Sequence, residues 1–394
     1  MIRILFVDDE PNVVQAMRRN LHAMRNEWSM DFVLGGVEAL AALKVTPADV
    51  IVSDMRMPGM DGWQLLTEIR NQYPQTVRLI LSGHAEATSI MRAVGIIHQY
   101  IAKPCDGAVL KEVIAQTQKL RHLVSSDHLA ALVGHVGMLP SAPQAFQDLL
   151  KCLQNPEASL ADAARIIGRD VAMTANIMKM VNSAFFGARQ PIVSTDRAVA
   201  YLGLDTLGAL VLGHSVFKSG RKVGIAGFSL ERLWAHSLQT AMAAKVIALC
   251  EKFSSAEAEK AFLAGVLHDV GKMVFATRAE TASDDPAANS EVEAAQMEAH
   301  HAEVGAYLLS LWGFPNPIVE AVAFHHIPSQ ASGKVLSLPG IVHIANRLAH
   351  RRDAPAPAAT ELDLEPGFLE AHGLSDRLPV WQAAIDKIEP AQAA

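Results

Sequence analysis

Polar side chains that could handle a phosphoryl group follow four short apolar runs near the N-terminus. Asp8 and Asp9 follow ILFV, Asp54 follows VIVS, Ser82 follows RLIL and Lys103 follows QYIA. We expect these side chains to lie together, because ligands of open α/β sheets bind where parallel strands end. Clustered carboxylates favour a cation such as Mg²⁺, and a hydroxyl and an ammonium group can contact phosphoryl oxygens. The hypothesis is that Asp54 accepts a phosphoryl group.

The elements that must position these residues are strands alternating with helices. Apolar runs at 4–7, 30–34, 50–53, 78–81 and 99–102 are separated by amphipathic stretches of helical length. Short apolar runs in such an arrangement predict βα repeats. The expected architecture is a five-stranded parallel sheet with helices on both faces.

This first part of the chain resembles the receiver domain of two-component response regulators. The resemblance rests on motif residues that stand in the family's order: Asp8-Asp9, Asp54 with MPGMDG behind it, Ser82 and Lys103-Pro104. It implies a flavodoxin-like fold. It also implies that a histidine kinase or a phosphotransfer protein phosphorylates Asp54.

The resemblance also implies roles for the residues around Asp54. Mg²⁺ would be held by Asp8, Asp9 and Asp54, with the backbone carbonyl of Arg56 contributing. Ser82 and Lys103 would contact the phosphoryl group. Tyr100 falls at the position of the switch aromatic, which turns inward on phosphorylation.

The remainder of the chain has helical periodicity, and three segments carry a second resemblance. MLPSAPQAF, RDVAMTANIMKMVNSAFFG and AVAYLGLDTLGALVL are similar to the HDOD family, the HD-related output domains of bacterial signalling proteins. Membership implies an all-helical, HD-superfamily-like domain. We predict a receiver domain at 1–124, a linker at 125–140 and an HDOD domain at 141–390.

A series of histidines in the helical part has the residue types of a metal site. The candidate ligands occur in the order His236, His268-Asp269, His301 and His325-His326. Imidazole and carboxylate are good ligands for Fe, Mn and Zn, and a two-metal site can activate water. The order is similar to that of HD-superfamily phosphohydrolases, and the segment HDVGK is similar to their HDxGK motif. If the protein is such an enzyme, Lys272 would be its catalytic lysine and would hold a phosphate. Asn346 stands where these enzymes have a late aspartate, which puts one metal ion in question.

Two functions of the helical part therefore stay open. The favoured one is signalling through a downstream protein partner, because Asn346 removes an anionic ligand. The alternative is a receiver-gated, metal-dependent phosphohydrolase acting on a nucleotide or cyclic dinucleotide. After His326 the chain lacks the Gly-Tyr-Pro motif of enzymes that cleave cyclic di-GMP, which disfavours that activity.

Composition bounds the other possibilities. The 394 residues are 50% hydrophobic and 19% charged, which is typical of globular domains. The net charge of -7 and the lack of a basic block argue against a third alternative, a DNA-binding regulator. The scattered cysteines predict reduced thiols in a cytoplasmic protein. The early acidic N-terminus also predicts a cytoplasmic location. No apolar stretch is long enough to span a membrane. A homodimer is compatible with the sequence.

Overall fold

The computed structural model describes most of the chain. The described residues are 1–82, 95–103, 107–119, 126–139, 143–155, 157–182, 190–213, 228–282, 290–331, 336–353 and 364–387. In this part of the chain no helix is both long and apolar enough to cross a membrane.

The N-terminal part is a five-stranded parallel sheet, as predicted, and its strand order is β2-β1-β3-β4-β5. The strands are β1 Ile2–Val7, β2 Trp28–Val33, β3 Val50–Asp54, β4 Val77–Ser82 and β5 Gln99–Ala102. The helices described here are α1 Pro11–Asn20, α2 Gly36–Val45, α3 Gly62–Gln72 and α4 Gly107–Lys119, with a 3-10 turn at His22–Asn26.

Both faces of the sheet are covered, because successive strand residues point to opposite sides. Leu5 and Val7 of β1 pack in one core with α2 and α3. Ile4 and Phe6 pack in another core with Leu110 of α4. Burial on both faces explains why the strands appear as continuous apolar runs in the sequence.

The rest of the described chain is helical. Its α-helices are α5 Asp127–Gly134, α6 Pro143–Gln154, α7 Leu160–Gly168, α8 Val171–Val181, α9 Thr195–Gly213, α10 Leu230–Cys250, α11 Ser255–Leu267, α12 Val270–Ala282, α13 Ser290–Leu311, α14 Asn316–Ala323, α15 Leu338–Asp353, α16 Phe368–Ala371 and α17 Leu378–Ile385. Short 3-10 turns lie at Pro328–Gln330 and Ser375–Arg377.

The α/β part and the helical part share one apolar core. The core on the α4 side of the sheet continues through Val133 of α5 and Met178 of α8 to Trp312, which follows α13. Helices of the second part thus pack against the first part directly as well as being joined to it by the chain.

Buried polar side chains cross the same contact. The guanidinium of Arg78 in β4 donates to the carbonyl oxygens of Ile96 and Gly134, at 2.7 and 2.5 Å. The ammonium of Lys179 in α8 donates to the carbonyl oxygens of Ile97 and Gly137, at 3.2 and 2.9 Å. Each cation therefore binds backbone of the α/β part and of the helical part at once.

Candidate functional site

Lys103 lies between two carboxylates at the carboxyl edge of the sheet. Its Nζ donates to Asp8 at 2.7 Å and also to Asp54. The second oxygen of Asp54 accepts the backbone N–H of Arg56 at 2.8 Å. Asp9 is half-buried and directly follows Asp8. Asp8 and Asp54 both contact this ammonium and Asp9 is their neighbour in sequence, so the carboxylates here fit a divalent cation such as Mg²⁺.

The loop after Asp54 needs a glycine and a helix cap to place this carboxylate. A Cβ on Gly62 would lie 2.2 Å from the backbone oxygen of Asp54, so a side chain cannot fit there. Asp61 accepts the backbone N–H of Gln64 at 2.7 Å, and the Gln64 side chain bonds back to the Asp61 N–H. This capping box starts α3 immediately beside the site.

Burial and charge have opposite effects on the pKa values of Asp54 and Lys103. Burial raises the pKa of Asp54, although the Lys103 hydrogen bond and charge oppose the shift. Burial opposes the charge of Lys103, but its hydrogen bonds to Asp54 and Asp8 raise its pKa. Lys103 is therefore a fixed positive charge beside Asp54.

The two remaining predicted residues are on neighbouring strands. Tyr100 is a buried β5 residue in the α2/α3 core. Ser82 is the last residue of β4, and its side chain lies outside the described part of the chain.

The second site is assembled from the ends and inner faces of six helices. His236 lies in α10, His268 and Asp269 join α11 to α12, and Lys272 lies in α12. His301 lies in α13, His325 and His326 directly follow α14, and Asn346 lies in α15. The structure brings all of these predicted residues into one cluster.

Asp269 is the centre of this cluster. One carboxylate oxygen lies 3.1 Å from Nε2 of His301 and 3.7 Å from Nε2 of His325. The other lies 2.8 Å from Nζ of Lys272 and 3.4 Å from Nε2 of His268. A single buried carboxylate therefore faces three imidazoles and one ammonium.

Backbone carbonyls set the tautomers of these three imidazoles. Nδ1 of His268 lies 2.8 Å from the carbonyl oxygen of Gly265, and Nδ1 of His325 lies 2.8 Å from that of Val322. Nδ1 of His301 lies 3.0 Å from the oxygen of Met297. A carbonyl oxygen can only accept, so Nδ1 carries the hydrogen in each ring and Nε2 of the neutral ring holds a lone pair. These lone pairs face a carboxylate, an arrangement that a bound cation would stabilise.

The protonation states agree with this picture. Burial lowers the pKa of His268 to about 3 and that of His325 well below its usual value. Burial opposes ionisation of Asp269, but its neighbours, the Lys272 ammonium among them, hold its pKa well below the ordinary range. Neutral imidazoles and an ionised carboxylate are the forms that bind metal.

The donor atoms form two groups that could each hold an ion. Within each group the ligand atoms lie within 4.8 Å of one another, and the groups are His301, His325 and His326, and His236, His268 and Asp269. Nε2 of His326 and of His301 are 2.9 Å apart. In the described structure, Nε2 of His268 and of His325 are buried without a hydrogen bond. These residues fit a metal centre of the Fe, Mn or Zn type, in which Asp269 belongs to one group and lies 3.1 Å from His301 of the other.

A cleft leads from the surface to this cluster. Its volume is about 330 Å³, and its lining includes His236, Asp269, Lys272, Arg232 and His350. Two cationic side chains at its wall suit an anionic ligand such as a phosphate.

Sequence reasoning missed two histidines of α15. His343 is buried, and its Nδ1 lies 2.8 Å from the carbonyl oxygen of His325. The ring of His350 lies 4.1 Å from that of His236 between centroids. The signal in the sequence was their spacing with Asn346, since positions 343, 346 and 350 share one helical face.

Family models match both parts of the chain. A model described as response regulator receiver domain matches residues 4–115, and one described as HDOD domain matches residues 139–328. The chain is a response regulator with a receiver domain and an HDOD domain. The fold is a flavodoxin-like receiver followed by an all-helical domain, as predicted.

Among curated proteins, the chain is similar to an uncharacterized protein of Treponema pallidum (strain Nichols). The two are 26% identical over 254 residues, which cover 62% of this chain and 47% of that protein. It is also similar to the hydrogenase transcriptional regulatory protein HoxA of Cupriavidus necator, with 35% identity over 127 residues, or 32% of this chain and 26% of HoxA. The chain thus spans between a quarter and a half of the length of these relatives.

Solved structures with a similar fold include response regulators. The MmoQ response regulator of Methylococcus capsulatus is 23% identical, covers 62% of this chain and 98% of its own, and has a TM-score of 0.47. The receiver domain of an HD domain-containing protein of Pseudomonas fluorescens Pf-5 is 31% identical, covers 31% of this chain and 95% of its own, and has a TM-score of 0.28.

Proposed function

We propose that this response regulator accepts a phosphoryl group on Asp54 and signals through its HDOD domain to a protein partner. The observation that carries the proposal is the contact of Lys103 with both Asp54 and Asp8. The donor would be a histidine kinase or a phosphotransfer protein. The domain limits 1–124, 125–140 and 141–390, a cytoplasmic location and the option of a homodimer belong to the same proposal.

The residues around Asp54 supply charge and position rather than covalent chemistry. Asp8, Asp9 and Asp54 would hold Mg²⁺, which neutralises charge on the incoming phosphoryl group. Lys103 offers a fixed ammonium to a phosphoryl oxygen once it exchanges its contact with Asp54. The N–H of Arg56 holds one Asp54 oxygen in place.

The strand β5 offers a path for the signal. Lys103 directly follows its last residue, Ala102, and Gln99 begins it. The Gln99 side-chain amide donates to the carbonyl oxygen of Ser310 in α13, at 3.3 Å. Helix α13 also carries His301. The contact between β5 and α13 therefore links the region of Asp54 and Lys103 to the histidine cluster. A change at Lys103 can thereby bias the HDOD domain.

Incubation with a small-molecule phosphodonor and Mg²⁺ tests the phosphosite. Acid-labile phosphate should appear on the wild type and on Asp31→Asn, whose exposed carboxylate pairs with Arg3. It should be absent from Asp54→Asn. Phosphate that persists on Asp54→Asn would refute the assignment.

A second candidate function, a metal-dependent phosphohydrolase, is favoured by the converging Nε2 lone pairs of His268, His301 and His325. A metal pair held by the cluster would supply an activated water and a Lewis acid for a phosphoester. Lys272 lines the cleft and could hold a phosphate oxygen, while Asp269 would be the shared carboxylate. The substrate would be a nucleotide or a cyclic dinucleotide.

Metal analysis separates the two candidates. Protein purified without added metal is assayed for Fe, Mn and Zn, and then for hydrolysis of cyclic and linear nucleotides with added Mn²⁺. An enzyme should contain metal and lose turnover in the double variant His268→Ala, Asp269→Ala, whereas His128→Ala, an exposed change in α5, should retain it. Protein that binds metal without turnover, or binds none, would leave signalling through a partner as the function.

A further inference from the structure

His350 is a cleft residue that the motif of candidate ligands does not include. It lies in α15 one helical turn after Asn346, so both side chains project from the same face. Its ring lies 4.1 Å from the ring of His236 between centroids. It lines the cleft together with Asp269 and Lys272. An imidazole therefore stands at the open side of the group that contains His236.

Asn346 plays a different part at this position. It is buried, and its side-chain oxygen lies 2.8 Å from Nε2 of His236. A neutral amide in this contact orients the His236 ring and adds no negative charge. Outer partners of this kind fix the orientation of metal-binding imidazoles.

The group formed by His236, His268 and Asp269 offers three donors, and borderline ions such as Zn²⁺ take at least four ligands. His350 is exposed to the cleft and touches His236, so its side chain can turn towards an ion without crossing packed core. Imidazole is a suitable ligand for the ions that the other donors favour.

We propose that His350 is a ligand of the metal ion held by His236, His268 and Asp269, with Asn346 orienting His236 outside the ligand set. This inference rests on the proposed metal centre. It assigns to α15 both an orienting residue and a ligand, one turn apart.

Cobalt binding to the full-length chain tests the proposal without relying on activity. Co²⁺ is titrated into metal-free protein, and the visible absorption bands and the dissociation constants are recorded. In His350→Ala we expect one of the two ions to bind at least ~10-fold more weakly, with a changed spectrum. His300→Ala is the matched control, because His300 neighbours His301 in sequence but its Nδ1 lies 3.6 Å from Glu303. This control should bind as the wild type does.

Two further variants distinguish ligation from ring stacking. His350→Asp supplies another donor and should restore much of the affinity, whereas His350→Gln should behave like His350→Ala. Asn346→Asp places a carboxylate beside His236, so adding His350→Ala to it should cost less affinity than the same change in the wild type. Such non-additivity is expected only if both positions serve one ion.

The outcomes are separable. If wild-type protein binds no ion, the proposed metal centre and this inference both fail. If wild-type protein binds two ions and His350→Ala and His350→Gln leave the spectrum and both constants unchanged, the metal centre stands and His350 is not a ligand. Circular dichroism and the melting temperature of the metal-free variants verify that each is folded.

Discussion

Asp269 is a buried anion whose neighbours compensate its charge only in part. Lys272 contacts one of its oxygens at 2.8 Å, but burial lowers the pKa of His268 and of His325, whose Nε2 atoms face it, so these rings add no positive charge near neutral pH. Burying a carboxylate costs free energy unless it is paired or coordinates a metal. The metal-free HDOD domain should therefore be sensitive to acid, because protons are the other cations that can enter the cluster.

The pH dependence of stability follows from His268. Its pKa is about 3 in the folded protein and about 6.5 when unfolded, so in that window the unfolded chain binds the extra proton. The free energy of unfolding should fall as pH drops below about 6.5, by ~1.4 kcal/mol per pH unit for each such histidine. Urea unfolding of metal-free protein at pH 7, 6 and 5 measures this slope.

A substitution identifies the source of that slope. In His268→Gln the loss of stability per pH unit should be smaller than in the wild type by the contribution of one histidine. His22→Gln, at an exposed position of the receiver, should leave the slope unchanged. Equal slopes in wild type and His268→Gln would contradict the assignment of a neutral buried ring.

At the scale of residues, sequence order was enough to collect the cluster but not to describe its geometry. His236, Asp269 and His326 could be grouped because their order along the chain matched a known pattern. The position of His350 beside His236 depends on the rotation of α15 about its axis, which tertiary packing sets. The role of Asn346 likewise became visible only through its 2.8 Å contact with His236.

Among the elements, the close approach of α12 and α13 determines where Asp269 meets His301. A Cβ on Gly271 would lie 1.9 Å from the carbonyl oxygen of His301 and 2.8 Å from the backbone nitrogen of Gly305. Glycine at 271 is therefore required for the two helix backbones to touch. The contact of 3.1 Å between His301 and Asp269 depends on that approach.

Gly271→Ala should separate these helices. We expect a loss of about 1–3 kcal/mol in unfolding free energy, the usual range for overpacking, and weaker metal binding as His301 moves away from Asp269. Thermal unfolding and metal content report the two effects. Gly107→Ala is the control, since its added Cβ would have nothing closer than 3.5 Å. A Gly271→Ala protein as stable and metal-rich as this control would contradict the packing argument.

The elements themselves were largely readable from the sequence. The strand predicted at 50–53 is Val50–Asp54, and the one at 99–102 is Gln99–Ala102. Buried parallel strands are apolar throughout and are separated by amphipathic helices, so local pattern suffices. The close approach of α12 and α13 could not be predicted from the sequence. A glycine such as Gly271 allows another segment to pack closely but does not identify that segment.

The molecule as a whole is held together by polar contacts buried between its two domains. Lys179 has its ammonium between the carbonyl oxygens of Ile97 and Gly137 and 4.5 Å from the centroid of the Trp312 ring. Burial, with the charges of Arg78 and Arg70 nearby, lowers its pKa to about 7. The contact therefore includes a cation whose charge changes near neutral pH.

Two glycines that face each other across this contact allow a matched test of docking. A Cβ on Gly137 would lie 1.7 Å from the carbonyl oxygen of Gly95, whereas a Cβ on Gly95 would have nothing within 4 Å. Gly137→Ala should force the domains apart, giving a larger radius of gyration by X-ray scattering and faster amide exchange in β5. Gly95→Ala should change neither. Identical behaviour of the two variants would show that the domains do not depend on this contact.

The shared core and the cations that cross it also determine how this protein can be rebuilt. The carbonyl oxygen of Gly134 accepts a hydrogen bond from Arg78 of β4, and that of Ile97 accepts one from Lys179 of α8. A foreign receiver without an arginine at the position of Arg78 would leave the carbonyl oxygen of Gly134 without this donor, and Lys179 would keep both acceptors only if the foreign backbone placed a carbonyl where Ile97 has one. A working chimera would have to keep residues 74–78 and 95–99 of this chain together with the HDOD domain. Only a receiver that carries this chain's own β4–β5 edge could therefore replace the native one.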